Sequence, residues 1–267
     1  LVRAGGARHL RPHAGRGGGI KQLRRTFCSA GRAQPGLRRG VTMDRIQLFS
    51  GPLSMFGAKA QIACLEKGLD VELVMVPFGM KALYEPKHPE VLRVNPKRQV
   101  PVLIHGDLEL FDSTQIFEYL EDLKPEPSLW PGEVAARARA RLLEHKSDEV
   151  YFPPVIRLMG LQDKPRDPAA LAACESATAY YDEMEKQLGD QDYLAGPYSY
   201  ADIAFYMAQI FGARMGAPMT ARTPKLRRWR ERMLARPAVQ TVVAPMATYL
   251  LSQGRPLPDF LAGLVRR

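Results

Sequence analysis

Ser54 has a side chain and a position in the sequence that suit a role in chemistry. It follows a short apolar segment and a Ser-Gly-Pro turn, and a run with helical spacing begins directly after it. A hydroxyl at the start of a helix can donate a hydrogen bond to an anion, and the backbone dipoles there add a favourable potential. The position therefore suits the stabilisation of an anionic nucleophile. Ser50 is a second candidate hydroxyl, and a plain helix N-cap is the other interpretation of Ser54.

The cysteines and histidines predict no metal site. The three cysteines are odd in number, lie far apart and form no Cys-x-x-Cys pair, which favours a reducing compartment over a disulfide framework. The five histidines are scattered without ligand spacing. Cys64 lies near the far end of the helix that follows Ser54, where we expect a buried core thiol.

The net charge of +10 is concentrated at one end of the chain. Residues 1–43 hold nine arginines and one lysine with no acidic residue, which leaves 28 basic against 28 acidic side chains in the remainder. A neutral folded part argues against a nucleic-acid-binding face. The longest apolar run, residues 201–213, is interrupted by polar side chains and is shorter than the roughly 20 residues of a membrane span. We predict no nucleic-acid partner and no membrane segment.

Residues 1–42 are rich in Arg and Gly and lack a sustained apolar period, which predicts a disordered basic extension. An acid-free, Arg-rich stretch is compatible with a mitochondrial targeting segment. The other interpretation is translated upstream sequence, because the chain begins with Leu and Met43 stands just before the first convincing strand. We favour the second interpretation, under which the protein is cytoplasmic.

The pattern that positions Ser54 is a β-α-β unit followed by a hairpin and a helix. Four strands are expected, over residues 45–49, 71–76, 101–104 and 108–111. A helix with Ala58, Ile62 and Leu65 on its apolar side joins the first two and ends at Gly68, so these strands should be parallel. Asp112 and Ser113 mark the start of the helix after the hairpin.

We therefore predict an α/β domain over residues 43–124, a linker over 125–133 and an all-helical domain over 134–267. The linker is rich in proline, and only helical patterns follow it. Ser199 and Asp202 have the spacing of a capping box. In a late helix, a buried stripe is expected at Leu226, Trp229 and Met233, with the arginines on a solvated face.

The order of elements is that of a thioredoxin-like domain, and three motifs resemble those of the glutathione transferase family over residues 45 to about 245. The motifs are Leu48-Phe49-Ser50-Gly51-Pro52-Leu53-Ser54, then Asn95-Pro96-Lys97-Arg98-Gln99-Val100-Pro101 with Asp112-Ser113, and Tyr193-Leu194-Ala195-Gly196 with Ser199-Tyr200-Ala201-Asp202. The resemblance implies a thioredoxin-like glutathione-binding domain followed by an all-helical domain that holds an electrophilic substrate.

The resemblance also implies roles for individual residues. Ser54 would activate the glutathione thiol, whose pKa is otherwise near ~8.5. Val100, before a cis Pro101, would pair its backbone with the peptide of glutathione. Gln99 would lie near the glycyl carboxylate. Ser113 would bind the γ-glutamyl carboxylate and Asp112 would face the ammonium, although a plain Asp-Ser cap explains this pair equally well.

A small hydrophobic electrophile is the implied second substrate. A region of the helical domain that could line its pocket contains Tyr151, Phe152, Val155 and Met159, but such a stripe is more often core. The implied function is a glutathione transferase that works without a metal. Alternatives are glutathione-dependent aryl-ether cleavage and a non-catalytic glutathione-binding or interaction module. The family also implies a homodimer.

Overall fold

The structure of the protein is a computed structural model that describes residues 45–85 and 87–265. The expectations for residues 1–42 lie outside this part of the chain.

A four-stranded mixed sheet forms the first part of the described chain. Its strands are β1 (Ile46–Ser50), β2 (Val71–Met75), β3 (Val102–His105) and β4 (Leu108–Phe111), in the spatial order β2-β1-β3-β4. β1 and β2 are parallel, whereas β3 is antiparallel to both β1 and β4. The predicted parallel β-α-β unit and the hairpin are therefore confirmed.

Alternate residues of a strand point to opposite faces of a sheet. In this sheet apolar side chains lie on both faces, and helices cover both faces. Leu48 and Leu103 pack in the cluster that includes α1 (Met55–Glu66) and α3 (Ser113–Leu123). Phe49 and Val102 pack with Val91 of α2 (Pro89–Val94) on the opposite face. This layered α/β arrangement is the predicted thioredoxin-like fold.

Two details of this part differ from the sequence-based expectations. Leu65, predicted on the buried side of α1, is 44% exposed because it borders an open groove between α1 and β2. Helix α2 was not predicted, since six residues are too few to show a period; it begins at Pro89, and the His88 ring accepts a hydrogen bond from the Glu90 N–H.

The rest of the described chain is helical, as predicted. The helices are α4 (Val134–Lys146), α5 (Phe152–Arg157), α6 (Pro168–Leu188), α7 (Tyr200–Arg214), α8 (Pro224–Leu234) and α9 (Pro237–Ser252). A π-helical turn joins α4 to α5, and short 3-10 turns follow α5 and α9. None of the helices in the described residues is long and apolar enough to cross a membrane.

Asp202 is the polar centre of the helical part. The predicted capping box with Ser199 is present, and the fully buried carboxylate also accepts hydrogen bonds from the Leu194 N–H and the Trp229 indole, both at 2.9 Å. One side chain thus holds the start of α7, the preceding loop and α8 together. Along α8 the predicted buried stripe is confirmed, but Arg230 is only 8% exposed, so the arginines do not all lie on a solvated face.

Lys59 connects the α/β part to the helical part. Its ammonium lies 2.9 Å from the Glu144 carboxylate and 2.5 Å from that of Asp148, and Glu144 also accepts a hydrogen bond from Thr114 at 2.6 Å. Burial alone would lower the pKa of Lys59, but the surrounding Tyr200, Asp148 and Glu144 outweigh it and raise that pKa. The lysine therefore stays charged although it is 1% exposed.

We expect Asp202→Ala to lower the free energy of unfolding by about 2–4 kcal/mol, because it leaves several buried donors without an acceptor. Urea denaturation followed by circular dichroism would measure the loss. Asp192→Ala is the matched control: its exposed carboxylate pairs with Arg232 at the surface, so the cost should stay below about 1 kcal/mol. Equal losses in the two variants would contradict the central role of Asp202.

Asp148 should make stability depend on pH. Burial raises the pKa of Asp148 from 3.8 to about 6; Lys59 opposes this shift and Glu144 adds to it. A carboxyl whose folded pKa exceeds its unfolded value contributes stability that is present below pH 4 and lost as pH rises through 6. The free energy of unfolding of the parent, minus that of Asp148→Asn, should therefore fall between pH 4 and 6.

Urea denaturation at several pH values measures that difference. Asp163→Asn removes an exposed carboxylate that has no ion pair in the described chain, and it serves as the control for one lost charge. A difference between the parent and Asp148→Asn that stays constant from pH 4 to pH 7 would show that Asp148 does not titrate in this range.

Candidate functional site

The register of the sheet brings three segments to one edge. Phe49 pairs with Val102, and Val102 pairs with Phe111, so β1 ends, β3 begins and β4 ends at the same level. The next residues along the chain are the loop to Ser54, the Val100-Pro101 bond and Asp112-Ser113 respectively. The sheet thus gathers residues that lie far apart in sequence, and the N-termini of α1 and α3 are at this edge.

Ser54 caps α1. Its Oγ accepts a hydrogen bond from the Gly57 N–H at 3.0 Å, and its residue is 8% exposed. Capping uses the hydroxyl oxygen as an acceptor and leaves the hydroxyl proton available to a ligand. No acidic side chain lies in the first turn of α1. The positive end of the helix dipole is therefore not neutralised from within the helix.

Ser50 occupies a different environment. It is fully buried, and its Oγ accepts a hydrogen bond from the Gln61 amide at 2.7 Å. Both serine hydroxyls border Gly57, where an added Cβ would collide with the Ser50 side chain. Ser50, at the end of β1, therefore packs closely against α1. Ser54, in contrast, lies at the N-terminus of that helix.

The peptide bond between Val100 and Pro101 is cis, as the resemblance of the motifs to those of the family implied. Neither the N–H nor the C=O of Val100 forms a hydrogen bond with another described residue, so both are free to pair with an added strand. The preceding turn is held by Asn95, whose side-chain amide donates to the Gln99 carbonyl at 2.6 Å. Gln99 itself is exposed.

Asp112 has φ +76 and ψ 128, a conformation that a residue with a Cβ rarely adopts. Its carboxylate caps α3 by accepting hydrogen bonds from the N–H groups of Thr114 and Gln115. Ser113 is buried, and its carbonyl accepts a hydrogen bond from the Tyr200 hydroxyl at 3.0 Å. The strained turn is therefore held by hydrogen bonds from both parts of the fold.

Aromatic side chains pack against the chain before and after Ser54, and of these the sequence indicated Phe152 but not Tyr84. Tyr84, from the segment after β2, packs against Gly51 so closely that an added Cβ would collide with its ring. Burial raises the pKa of Tyr84 to about 12. Beyond Ser54, Phe56 packs on Phe152 and Phe152 stacks on Phe211, each with ring centres 4.9 Å apart.

The region suggested for the electrophile divides between core and surface. Tyr151 and Val155 are fully buried in the helical part, in agreement with the interpretation as core. Phe152 reaches the first part of α1 through Phe56, and Met159 is 45% exposed. A separate apolar groove of about 580 Å³ lies between β2, α1 and α9 and reaches Gly51.

Within residues 45–85 and 87–265, no group of His, Cys, Asp and Glu side chains could hold a metal ion. Cys64 is buried, as predicted, and burial raises the pKa of its thiol to about 12. This thiol therefore stays protonated and is not a second nucleophile.

Two family models match the chain. The model described as "Glutathione S-transferase, N-terminal domain" matches residues 48–128, and the one described as "Glutathione S-transferase, C-terminal domain" matches residues 149–237. Glutathione S-transferase 3 of Zea mays is 30% identical over 213 residues, which are 76% of this chain and 95% of that protein.

Two further relatives bear on function. The β-etherase LigF of Sphingobium sp. strain SYK-6 has a solved structure with a TM-score of 0.63 and 27% identity, covering 74% of this chain and 98% of that one. The stringent starvation protein A homolog of Coxiella burnetii is 34% identical over 39% of this chain, which spans only 47% of that protein's length. The matches to both family models and across nearly the whole maize protein show that the chain belongs to the glutathione S-transferase family.

Proposed function

We propose that the protein is a glutathione transferase in which Ser54 activates the glutathione thiol. The observation that carries the proposal is the position of the Ser54 hydroxyl at the start of α1, on the sheet edge that also holds the unpaired backbone of Val100 and the start of α3. If the backbone of a peptide pairs with Val100, the thiol of that peptide would lie beside the N-terminus of α1. The family membership supports glutathione as the co-substrate.

Glutathione is bound in this proposal by groups that do not take part in the chemistry. Its peptide pairs with the backbone of Val100, next to the cis Pro101, and its glycyl carboxylate lies near Gln99. Its γ-glutamyl carboxylate meets the Ser113 hydroxyl and the amides at the start of α3, and its ammonium faces Asp112. Each end of glutathione thus meets opposite charge or hydrogen-bond donors.

The reaction follows from the state of the thiol. Ser54 donates a hydrogen bond to the sulfur while its oxygen keeps the Gly57 N–H, and the dipole of α1 adds a favourable potential. Both effects stabilise the thiolate more than the thiol and so lower the pKa of the bound thiol. The thiolate then attacks the electrophilic carbon of the second substrate, a carbon–sulfur bond forms, and the leaving group departs with its electron pair.

The second substrate is expected to be apolar. Phe56 stands two residues after Ser54 and continues into the aromatic contacts with Phe152, and the groove that begins at Gly51 is lined mainly by aliphatic and aromatic side chains. Cleavage of an aryl ether by glutathione is the second candidate reaction. The similarity to β-etherase LigF over nearly all of that chain supports it.

We expect Ser54→Ala to retain the fold and most of the affinity for glutathione, because the proposed binding groups are elsewhere. The pKa of the bound thiol should rise by about 1–2 units, since one hydrogen bond to an ion contributes ~1.5–3 kcal/mol. Turnover near neutral pH should fall comparably. Thiolate absorbance of bound glutathione, followed against pH, measures the pKa directly.

Ser50→Ala is the matched control, because it removes a buried hydroxyl four residues earlier and should leave the thiol pKa unchanged. If instead Ser50→Ala raises that pKa and Ser54→Ala does not, the activating hydroxyl is Ser50. Glutathione binding without a lowered thiol pKa in the parent would favour a non-catalytic binding module. Formation of a glutathione thioether from an aryl ether would identify the second candidate reaction.

A homodimer is the assembly that family membership supports, with the first domain of one subunit against the second domain of the other. Static light scattering at micromolar concentration should report twice the mass of one chain. A mass equal to one chain across this range would remove the dimer from the proposal and leave the assignment of Ser54 unaffected.

A further inference from the structure

A second cavity lies in the helical part and shares no lining residue with the glutathione site. It has a volume of about 420 Å³, is open to solvent, and is bordered by the end of α7, the loop after it, α8 and the segment that follows α9. This volume falls in the range of roughly 300–1,000 Å³ that small-molecule sites occupy. Its walls include Met219 and Phe260, and two arginines, Arg227 and Arg230, line it.

Arg230 is buried without an ion pair in the described part of the chain. It is 8% exposed, forms neither an ion pair nor a hydrogen bond with any described residue, and its Nε is fully buried. The guanidinium lies 4.0 Å from the centre of the Phe260 ring, which leaves its edges free for hydrogen bonds. Burial lowers the pKa of Arg230, and repulsion from Arg227 lowers it further. The smaller effects of Tyr206, Glu231 and Tyr181 raise this pKa without cancelling that fall. Buried cations are normally paired, because removal of a charge from water is costly.

Unpaired polar atoms also lie on the neighbouring face of α7. The Tyr206 hydroxyl and both polar atoms of the Gln209 side chain are buried without a partner in the described chain. Helical spacing puts these residues on the same side of α7 as Ala213, which lines the cavity. The Tyr206 ring lies 6.1 Å from that of Trp229, so this face meets α8 next to Arg230. Neither Tyr206 nor Gln209 lines the cavity itself, so Arg230 is the unpartnered buried group of the described chain that a ligand in the cavity would meet.

We infer that this cavity binds a small organic monoanion, a carboxylate carried on an apolar body. The carboxylate would receive hydrogen bonds from the guanidinium of Arg230 and attraction from Arg227, and the apolar body would contact Met219 and Phe260. The lining contains one acidic side chain, Asp259, so its formal charge is +1. That charge matches a monoanion and disfavours a phosphate dianion.

Benzoate is the probe, titrated into the full chain by calorimetry in the presence of saturating glutathione. We expect Arg230→Met to weaken benzoate binding at least about tenfold, the loss expected for one hydrogen bond to an ion. Arg227→Met should also weaken it, and this exposed position carries little risk to the fold. Arg228→Met, on the exposed side of the same helix, is the matched control and should leave the affinity unchanged.

Benzamide and inorganic phosphate separate charge from shape. Benzamide keeps the ring and loses the charge, so it should bind at least about tenfold more weakly than benzoate, and phosphate should not compete. Benzamide binding as tightly as benzoate, benzoate affinity that neither Arg227→Met nor Arg230→Met reduces, or no benzoate binding at millimolar concentration would each overturn the inference. Glutathione binding should persist in all three arginine variants, which keeps this test independent of the proposed transferase activity.

Discussion

The buried ammonium of Lys59 is the interaction on which the arrangement of the candidate site depends. It lies between the carboxylates of Glu144 and Asp148. Glu144 also accepts a hydrogen bond from the hydroxyl of Thr114, the residue that follows Ser113. One cluster therefore fixes the starts of α1 and α3 against the helical part. Breaking such a pair is far more costly than its net contribution to stability suggests, because it leaves a buried charge uncompensated.

The starts of α1 and α3 hold the polar groups of the candidate site. Ser54 and Asp112 are both side-chain caps, so the ordinary structural role of these residues and the proposed functional one coexist. The two roles use different atoms: a serine that accepts a backbone hydrogen bond can still donate its proton, and a capped helix still has further amides at its first turn. The unfavourable backbone conformation of Asp112 is held by its own cap of α3 and by the contact of Tyr200 with the Ser113 carbonyl.

Two buried cations of the fold, Lys59 and Arg230, have opposite surroundings. Lys59 is paired with two carboxylates and keeps its charge, whereas Arg230 contacts an aromatic ring and forms no ion pair with any residue of the described chain. A paired cation organises a structure, and an unpaired one next to an open cavity is suited to an anionic ligand. The same electrostatic rule thus separates a structural cluster from a proposed binding site.

The sequence by itself determined the class of fold, the parallel β-α-β unit, the hairpin, the capping box at Asp202 and the buried stripe of α8. These features depend on local periodicity, turn residues and caps, which act over a few residues. The sequence favoured Ser54 and left Ser50 as a second candidate hydroxyl, and only the tertiary structure shows that Ser50 is buried against Gln61. From their charge, the sequence indicated a solvated face for every arginine of α8, although helical spacing puts Arg230 beside the stripe of Leu226 and Met233, where it is buried. Helix α2 and the contact of Tyr84 with Gly51 were also outside its reach. Each of these features depends on which elements pack together, and burial and long-range pairing are set by contacts between residues far apart in the chain.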